Sequence, residues 1–148
     1  MKRLVMTSLV FMLLFSSLPL TAKAEDQTSL PEQIIYDILV DRFNNGRQAP
    51  SEQVDSEDQS TYNGGDIEGV TKWLGQLEEH GFTTVSLSPI MENAERGYHG
   101  YWVEDFYEVE EEFGTMDDMK ALVSKAHDRG MKVILELPLN YIAKSSPL

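Results

Sequence analysis

Apolar and polar positions follow two periods along this chain, and the switches between them lay out its elements. Ile34 to Val40 (IIYDILV) is a short β-rich apolar run with Asp37 inside it, followed by turn chemistry at Asn44-Asn45-Gly46. That pattern predicts a buried strand running into a loop. Val70, Trp73, Leu74 and Leu77 recur at the i, i+3, i+4, i+7 spacing of a helix with one apolar face. Gly81 stops this helix, since glycine tolerates the left-handed cap. Phe82 to Ser88 alternates as a second strand, and Pro89 ends it. Thr115 with Asp118 three residues later opens a second helix, as a capping-box pair near the positive end of its dipole. Met119, Leu122, Val123 and Ala126 form the apolar face, Arg129 sits in the last turn and Gly130 closes it. Met131 to Leu137 is nearly all apolar, as a strand covered by helices should be, and Pro138 breaks it.

The order is strand, helix, strand, helix, strand, which calls for parallel strands joined by right-handed crossovers. An open doubly wound sheet and a closed barrel both fit. The links from helix back to strand are almost absent, whereas those from strand to helix are long, from Asp41 to about Asp66 and from Pro89 to Gly114. Long loops therefore gather at the C-terminal ends of the strands, where both architectures build their sites. The polar stretch from Arg47 to Ser60 is read as part of such a loop. No GxGxxG or GxxxxGK[ST] segment is present, which disfavours a nucleotide-binding α/β domain.

The first residues follow a different logic. Lys2 and Arg3 precede the apolar run Leu4 to Leu14, and Ala22-Lys23-Ala24 offers small residues where a signal peptidase reads. This is the layout of a secretory signal over residues 1–24, with residues 25–148 as the exported part. The run is short for a membrane anchor, which needs ~20 apolar residues. With no cysteine, neither a disulfide nor a lipid on cysteine is available. The net charge of -13 becomes -16 once Lys2, Arg3 and Lys23 leave with the signal. Nucleic acid and an anionic membrane surface are poor partners for such a chain. The acid run Glu110-Glu111-Glu112 reads as solvated surface, and His127 as an ordinary helix residue.

Candidate chemistry concentrates in Gly97-Tyr98-His99-Gly100-Tyr101-Trp102. Three aromatics and a histidine in six residues fit a packed loop core. They fit equally a platform for sugar rings, whose C–H faces match aromatic faces and whose hydroxyls match polar tips.

At this point several segments resemble one family. Asp41-Arg42-Phe43-Asn44-Asn45-Gly46 is similar to a DRFxNG segment, and Gly64-Gly65-Asp66-Ile67-Glu68-Gly69 to a GGDxxGI segment. Ser86-Leu87-Ser88-Pro89-Ile90 resembles a second-strand end. Tyr98-His99-Gly100-Tyr101-Trp102 resembles a YHGYW loop, and Phe113-Gly114-Thr115 with Asp118 an FGT…D helix start. In this order they resemble the α-amylase family of glycoside hydrolases. The resemblance implies a partial (β/α)8 TIM barrel, roughly its first three βα units, incomplete as given. It implies an α-glucan or maltooligosaccharide partner and, in the intact parent, hydrolysis or transfer with retention of configuration. That mechanism needs two carboxylates about 5–5.5 Å apart. The family's catalytic acids come from later strands, so no residue here is assigned a catalytic role and the chain alone is expected to be inactive. The resemblance places His99 and Tyr101 at the subsite before the cut, Tyr101 stacking on the sugar, with Trp102 as their supporting neighbour; read without the resemblance, its large indole fills the base of the loop.

Calcium is the cofactor the resemblance implies. Asn140 matches the family's calcium-ligand asparagine, and Asn45, the carbonyl of Gly64 and Asp66 match a second site found in some members. Arg47 stands there in place of an acid or amide ligand, which disfavours a cation; Pro50 and Ser51 also depart. The family's D-x-V-x-N-H reads Glu136-Leu137-Pro138-Leu139-Asn140-Tyr141 here. Glu136 adds a methylene, Pro138 removes a backbone donor, and Tyr141 replaces a histidine that contacts sugar. The competing reading is a truncated, non-enzymatic barrel with residual sugar binding or no function. Without the resemblance, Asp66 reads as a helix cap.

Overall fold

A computed structural model describes residues 32–47, 54–55 and 57–147. The expected export signal, and Pro50 and Ser51, lie outside the described residues. The chain runs through β1 (Ile35–Ile38), α1 (Val40–Phe43), α2 (Ile67–Glu79), β2 (Thr84–Leu87), β3 (Met91–Asn93), β4 (Val103–Val109), α3 (Met116–Asp128) and β5 (Lys132–Leu135). Strands β1, β2 and β5 form a parallel sheet in that order, with Ile35 opposite Thr84 and Thr84 opposite Lys132. Each strand thus pairs with the next strand of the strand–helix–strand series, as in the opening of a β/α barrel. Helices α2 and α3 pack side by side.

The core follows from the two periods. Ile38, Val85 and Leu87 from the sheet meet Val70, Leu74 and Leu77 of α2, Leu122 and Ala126 of α3, and Met131. Leu74 and Leu122 are fully buried, each contributing about 1.5–3 kcal/mol by leaving water. Ile35, Asp37 and Leu39 alternate onto the opposite, exposed face of β1. Trp73, read as part of the helix's apolar stripe, lies at its margin and is 39 % exposed. Its ring meets Phe43 edge-on at 5.8 Å, and Phe43 meets Tyr36 at 6.0 Å in the same way.

The starts of α2 and α3 are both capped by side chains. The Asp66 carboxylate accepts the Gly69 N–H at 2.6 Å. Thr115 and Asp118 form a reciprocal capping box. Gly69 is required for a further reason: a Cβ there would stand 1.8 Å from the Asn44 carbonyl oxygen. The loop leaving α1 therefore lies directly on the first turn of α2.

Two stretches differ from the sequence reading. Val40 belongs to the helical turn α1, not to the first strand. The Val40 N–H turns to the Ser88 hydroxyl at 3.1 Å, and the turn sends the buried Asp41 carboxylate to the Asn63 N–H at 2.9 Å and the Gly64 N–H at 3.2 Å. The segment from Pro89 to Gly114 is not all loop. It holds the antiparallel pair β3–β4, whose register shifts on both sides of Glu92.

Candidate functional site at the C-terminal ends of the strands

The loop 97–102 is seated on the end of β2 by Gly100. Its φ is +83°, and a Cβ there would lie 2.0 Å from the Pro89 carbonyl oxygen. Only glycine meets both conditions. The loop then folds its aromatic residues around His99. The His99 ring stacks on Tyr101 at 5.7 Å and 30°, and meets Trp102 edge-on at 4.6 Å and Tyr98 at 5.1 Å.

The Tyr101 N–H donates to His99 Nδ1 at 2.9 Å. Nδ1 is therefore the acceptor and Nε2 carries the proton. Burial holds the His99 pKa below its ordinary value, which keeps the ring neutral near pH 7. The Tyr101 hydroxyl donates to Glu136 Oε2 at 2.6 Å. That bond, with burial and the carboxylate's charge, pushes the phenol up to about 12.

His99, Tyr101, Tyr98 and Glu136 line an open cleft of about 400 Å³ with Asp37 of β1 and Ser86 of β2. Residues from all three parallel-strand ends or their following loops thus converge on one space. The arrangement presents a flat aromatic face, an imidazole N–H and carboxylate acceptors. It has what recognition of a polyhydroxylated ring needs.

Trp102 does not take the packing role open to a large indole. It is 49 % exposed and does not fill the base of the loop. Its N–H bonds to Asn93 Oδ1 at 2.9 Å, and its side chain borders a second open cleft with Glu104, Ile142 and Lys144. The base is filled instead by polar groups. Asn93 is buried, and its own N–H donates to Glu110 Oε2 at 3.0 Å. The Glu110-Glu111-Glu112 run is accordingly solvated only at Glu111: Glu110 is 4 % exposed and Glu112 is buried with it. The Glu110 carboxylate also accepts the Glu112 N–H at 3.3 Å and the hydroxyl of buried Tyr62. Burial raises the Glu110 carboxyl above its ordinary value despite these bonds. The series Tyr62, Glu110, Asn93, Trp102 braces the aromatic loop from below. Sequence reasoning missed Asn93 and Glu110 as supports because the bond that joins them spans 17 residues.

Asp41 and Arg42 brace the other side. They form an ion pair, Arg42 donates to the carbonyls of Thr61 and Gln59, and its guanidinium lies 4.0 Å from the centre of the Tyr98 ring. The DRF segment is thus structural, tying the first long loop to the aromatic one.

The residues considered for calcium are separated into two places. Asn45 and Gly64 are neighbours, with the Asn45 amide nitrogen turned toward Gly64. The Asp66 carboxylate is committed: Oδ1 accepts the Gly46 and Gly69 N–H groups at 2.9 and 2.6 Å, and Oδ2 accepts the Arg47 N–H at 3.0 Å. The Arg47 guanidinium lies 3.9 Å from Oδ2. Backbone donors and a cation already surround the one acid, so this first-loop set does not fit a calcium ion, which takes 6–8 oxygens. Asn140 is exposed in the turn after β5. Among the described residues, no group of three or more His, Cys, Asp or Glu side chains is placed to hold a metal ion.

Parallel strands in sequential order, helices at their flanks and an aromatic cleft at their C-terminal ends define a β/α-barrel segment with a candidate site on that face. The catalytic-domain model of α-amylase matches residues 37–147, and the chain belongs to the α-amylase family. An α-amylase from Anoxybacillus is 50 % identical, with a TM-score of 0.76 over 78 % of this chain and 25 % of that one. The α-amylase of Geobacillus thermoleovorans, solved in complex with acarbose, is 46 % identical, with a TM-score of 0.68 over 78 % of this chain and 24 % of that one. A cyclomaltodextrin glucanotransferase of Klebsiella oxytoca is 32 % identical over 143 residues, 86 % of this chain and 22 % of the relative. The chain thus spans a quarter or less of the length of these relatives.

Proposed function

We propose that this chain forms the first three β/α units of a secreted enzyme acting on α-glucosidic bonds, by hydrolysis or transfer, and supplies one wall of its sugar subsite. The observation that carries this reading is the convergence of His99, Tyr101 and Glu136 on one cleft at the strand ends. Relatives that include both α-amylases and a glucanotransferase support an α-glucan substrate. The acarbose complex of one of them supports an oligosaccharide ligand.

In this reading the Tyr101 ring stacks on the apolar face of a glucose unit. The neutral His99 donates its Nε2–H to a sugar hydroxyl, and Trp102 offers a second aromatic surface at the cleft's rim. The acids that cleave the bond are not among the residues assigned here, so this wall binds and orients. Calcium belongs to the proposal only through Asn140, which would give an amide oxygen to an ion ordering the loop after β5.

The test compares the complete gene product with the 148-residue chain on starch. Reducing sugar or cyclodextrin from the complete protein and none from the chain is expected. Turnover by the chain alone would refute the division of labour. Titration calorimetry of the complete protein with a maltooligosaccharide, against Tyr101→Ala, reads the stacking role; identical heats would remove it. The secreted protein should begin at Glu25, which N-terminal sequencing checks.

A further inference from the structure

The hydroxyl of Tyr101 and the carboxylate of Glu136 are joined across 35 residues of sequence, at 2.6 Å. Glu136 immediately follows β5, and its own N–H is held by the Leu87 carbonyl of β2 at 3.0 Å. Its backbone is therefore part of the parallel sheet's frame, whereas Tyr101 belongs to a loop. The bond connects the two.

We propose that Glu136 is a positioning residue for the ligand subsite: it accepts the hydrogen bond of the Tyr101 hydroxyl, fixes that ring against the His99 face, and leaves the phenolic oxygen to act toward a sugar hydroxyl only as an acceptor. The proposal rests on the sugar-binding reading of the cleft, and three observations carry it. First, the Tyr101 ring has its plane set by the stack on His99, and a ring with its plane fixed still slides and tilts unless its far end is held. Glu136 holds that end. Second, the carboxylate is exposed and lines the cleft beside Asp37 and His99. Its side-chain oxygen Oε2 accepts the Tyr101 hydroxyl from that position. Third, a carboxylate has no proton to give, so the tyrosine must be the donor. A hydroxyl whose single proton is committed can only accept from the ligand, which fixes the sense of the sugar contact. The titratable groups facing Tyr101 are Glu136, His99 and Tyr141.

The test uses the complete gene product, with two independent readouts. Ultraviolet difference titration of tyrosinate, with Tyr101→Phe identifying the relevant signal, reads the bond without any sugar. The Tyr101 phenol should titrate near 12 in the parent, and should move back toward the ordinary tyrosine value of 10 in Glu136→Ala. An unchanged titration would overturn the proposal. Calorimetry with maltotetraose then reads the consequence. Glu136→Ala is expected to weaken binding about three- to tenfold, as loss of a partly exposed charge-assisted hydrogen bond should. In a Tyr101→Phe background the same change should have almost no further effect, because Glu136 acts through the hydroxyl. Full additivity of the two losses would overturn the proposal. Glu136→Gln keeps an acceptor oxygen and should recover most of the affinity lost in Glu136→Ala. If maltotetraose binds none of the proteins while the titration shifts as expected, the bond stands and the sugar reading of the cleft falls.

Discussion

Replacing Asp66 by alanine removes one carboxylate and strands three amides at once. Its two oxygens accept the N–H groups of Gly69, Gly46 and Arg47, and the residue is 1 % exposed. Losing the helix cap costs about 0.5–2 kcal/mol. Gly46 is buried, and leaving its N–H without a partner adds about 1–3 kcal/mol; the Arg47 amide is closer to solvent and adds less. The expected total is about 2–5 kcal/mol. It is concentrated where the loop after α1 rests on α2, and it is large against the ~5–15 kcal/mol that stabilises a typical domain. Hydrogen exchange read by mass spectrometry on the complete protein is the suitable assay, because it resolves local opening. Peptides covering Gly46 and Gly69 should exchange roughly 30-fold faster or more, while the β2–β5 pairing changes little. Asp66→Asn should fall between, since its amide oxygen keeps one acceptor but turns an NH2 toward other donors. A chelator added to the parent should not reproduce the alanine phenotype. Exchange within twofold of the parent in Asp66→Ala, or the same loss of protection on chelation, would refute the clamp and return Asp66 to a metal.

The other predictions are simpler. Gly69→Ala should destabilise by about 1–3 kcal/mol, seen as a lower Tm, because its Cβ would meet the Asn44 carbonyl at 1.8 Å. Glu110 has a raised folded pKa, so its linkage favours the folded state fully below the unfolded value near 4.5, and this is lost as pH rises through the folded value. Urea unfolding as a function of pH should therefore show the parent gaining on Glu110→Gln as pH falls from neutral toward that range; a constant difference would refute the assignment. Thr115→Ala should cost about 1 kcal/mol in thermal unfolding. It should also release the Asp118 carboxyl, held below its ordinary value chiefly by the Thr115 hydroxyl, an upward shift that NMR titration detects.

What the sequence made legible and what it hid divide along physical lines. The three parallel strands, both long helices, their caps and the glycine stops rest on patterns within a dozen residues, and the structure contains them all. The family resemblance rests on similarly local segments, and the catalytic-domain match bears it out. Supports that act between distant segments were illegible. Glu110 looks like any member of an acid run until Asn93 and Tyr62 fold over it. Strand β3 is only three residues long and interrupted by register shifts, so no alternation announces it. Trp73 and Trp102 have the same side chain as a core tryptophan; only the finished packing shows both at the surface. The substitution of Glu136 in the family pattern was visible, but its bond to Tyr101 was not, because reach depends on where the sheet places each backbone.

The contact between Asp41 and the Asn63–Gly64 turn has a consequence for how the chain finds its fold. Bringing β1 beside β2 closes a loop of 49 residues between Ile34 and Thr83. The Asp41 contact closes a smaller one within it, 22 residues to Asn63, using a carboxylate and backbone amides instead of a strand pairing. With that turn pinned, the chain still to be closed is roughly halved, which lowers the entropic cost of the parallel pairing by about 0.6 kcal/mol. Parallel sheets fold slowly because their partners are far apart along the chain. A single buried acid at the end of the first strand thus divides that long closure into two shorter ones.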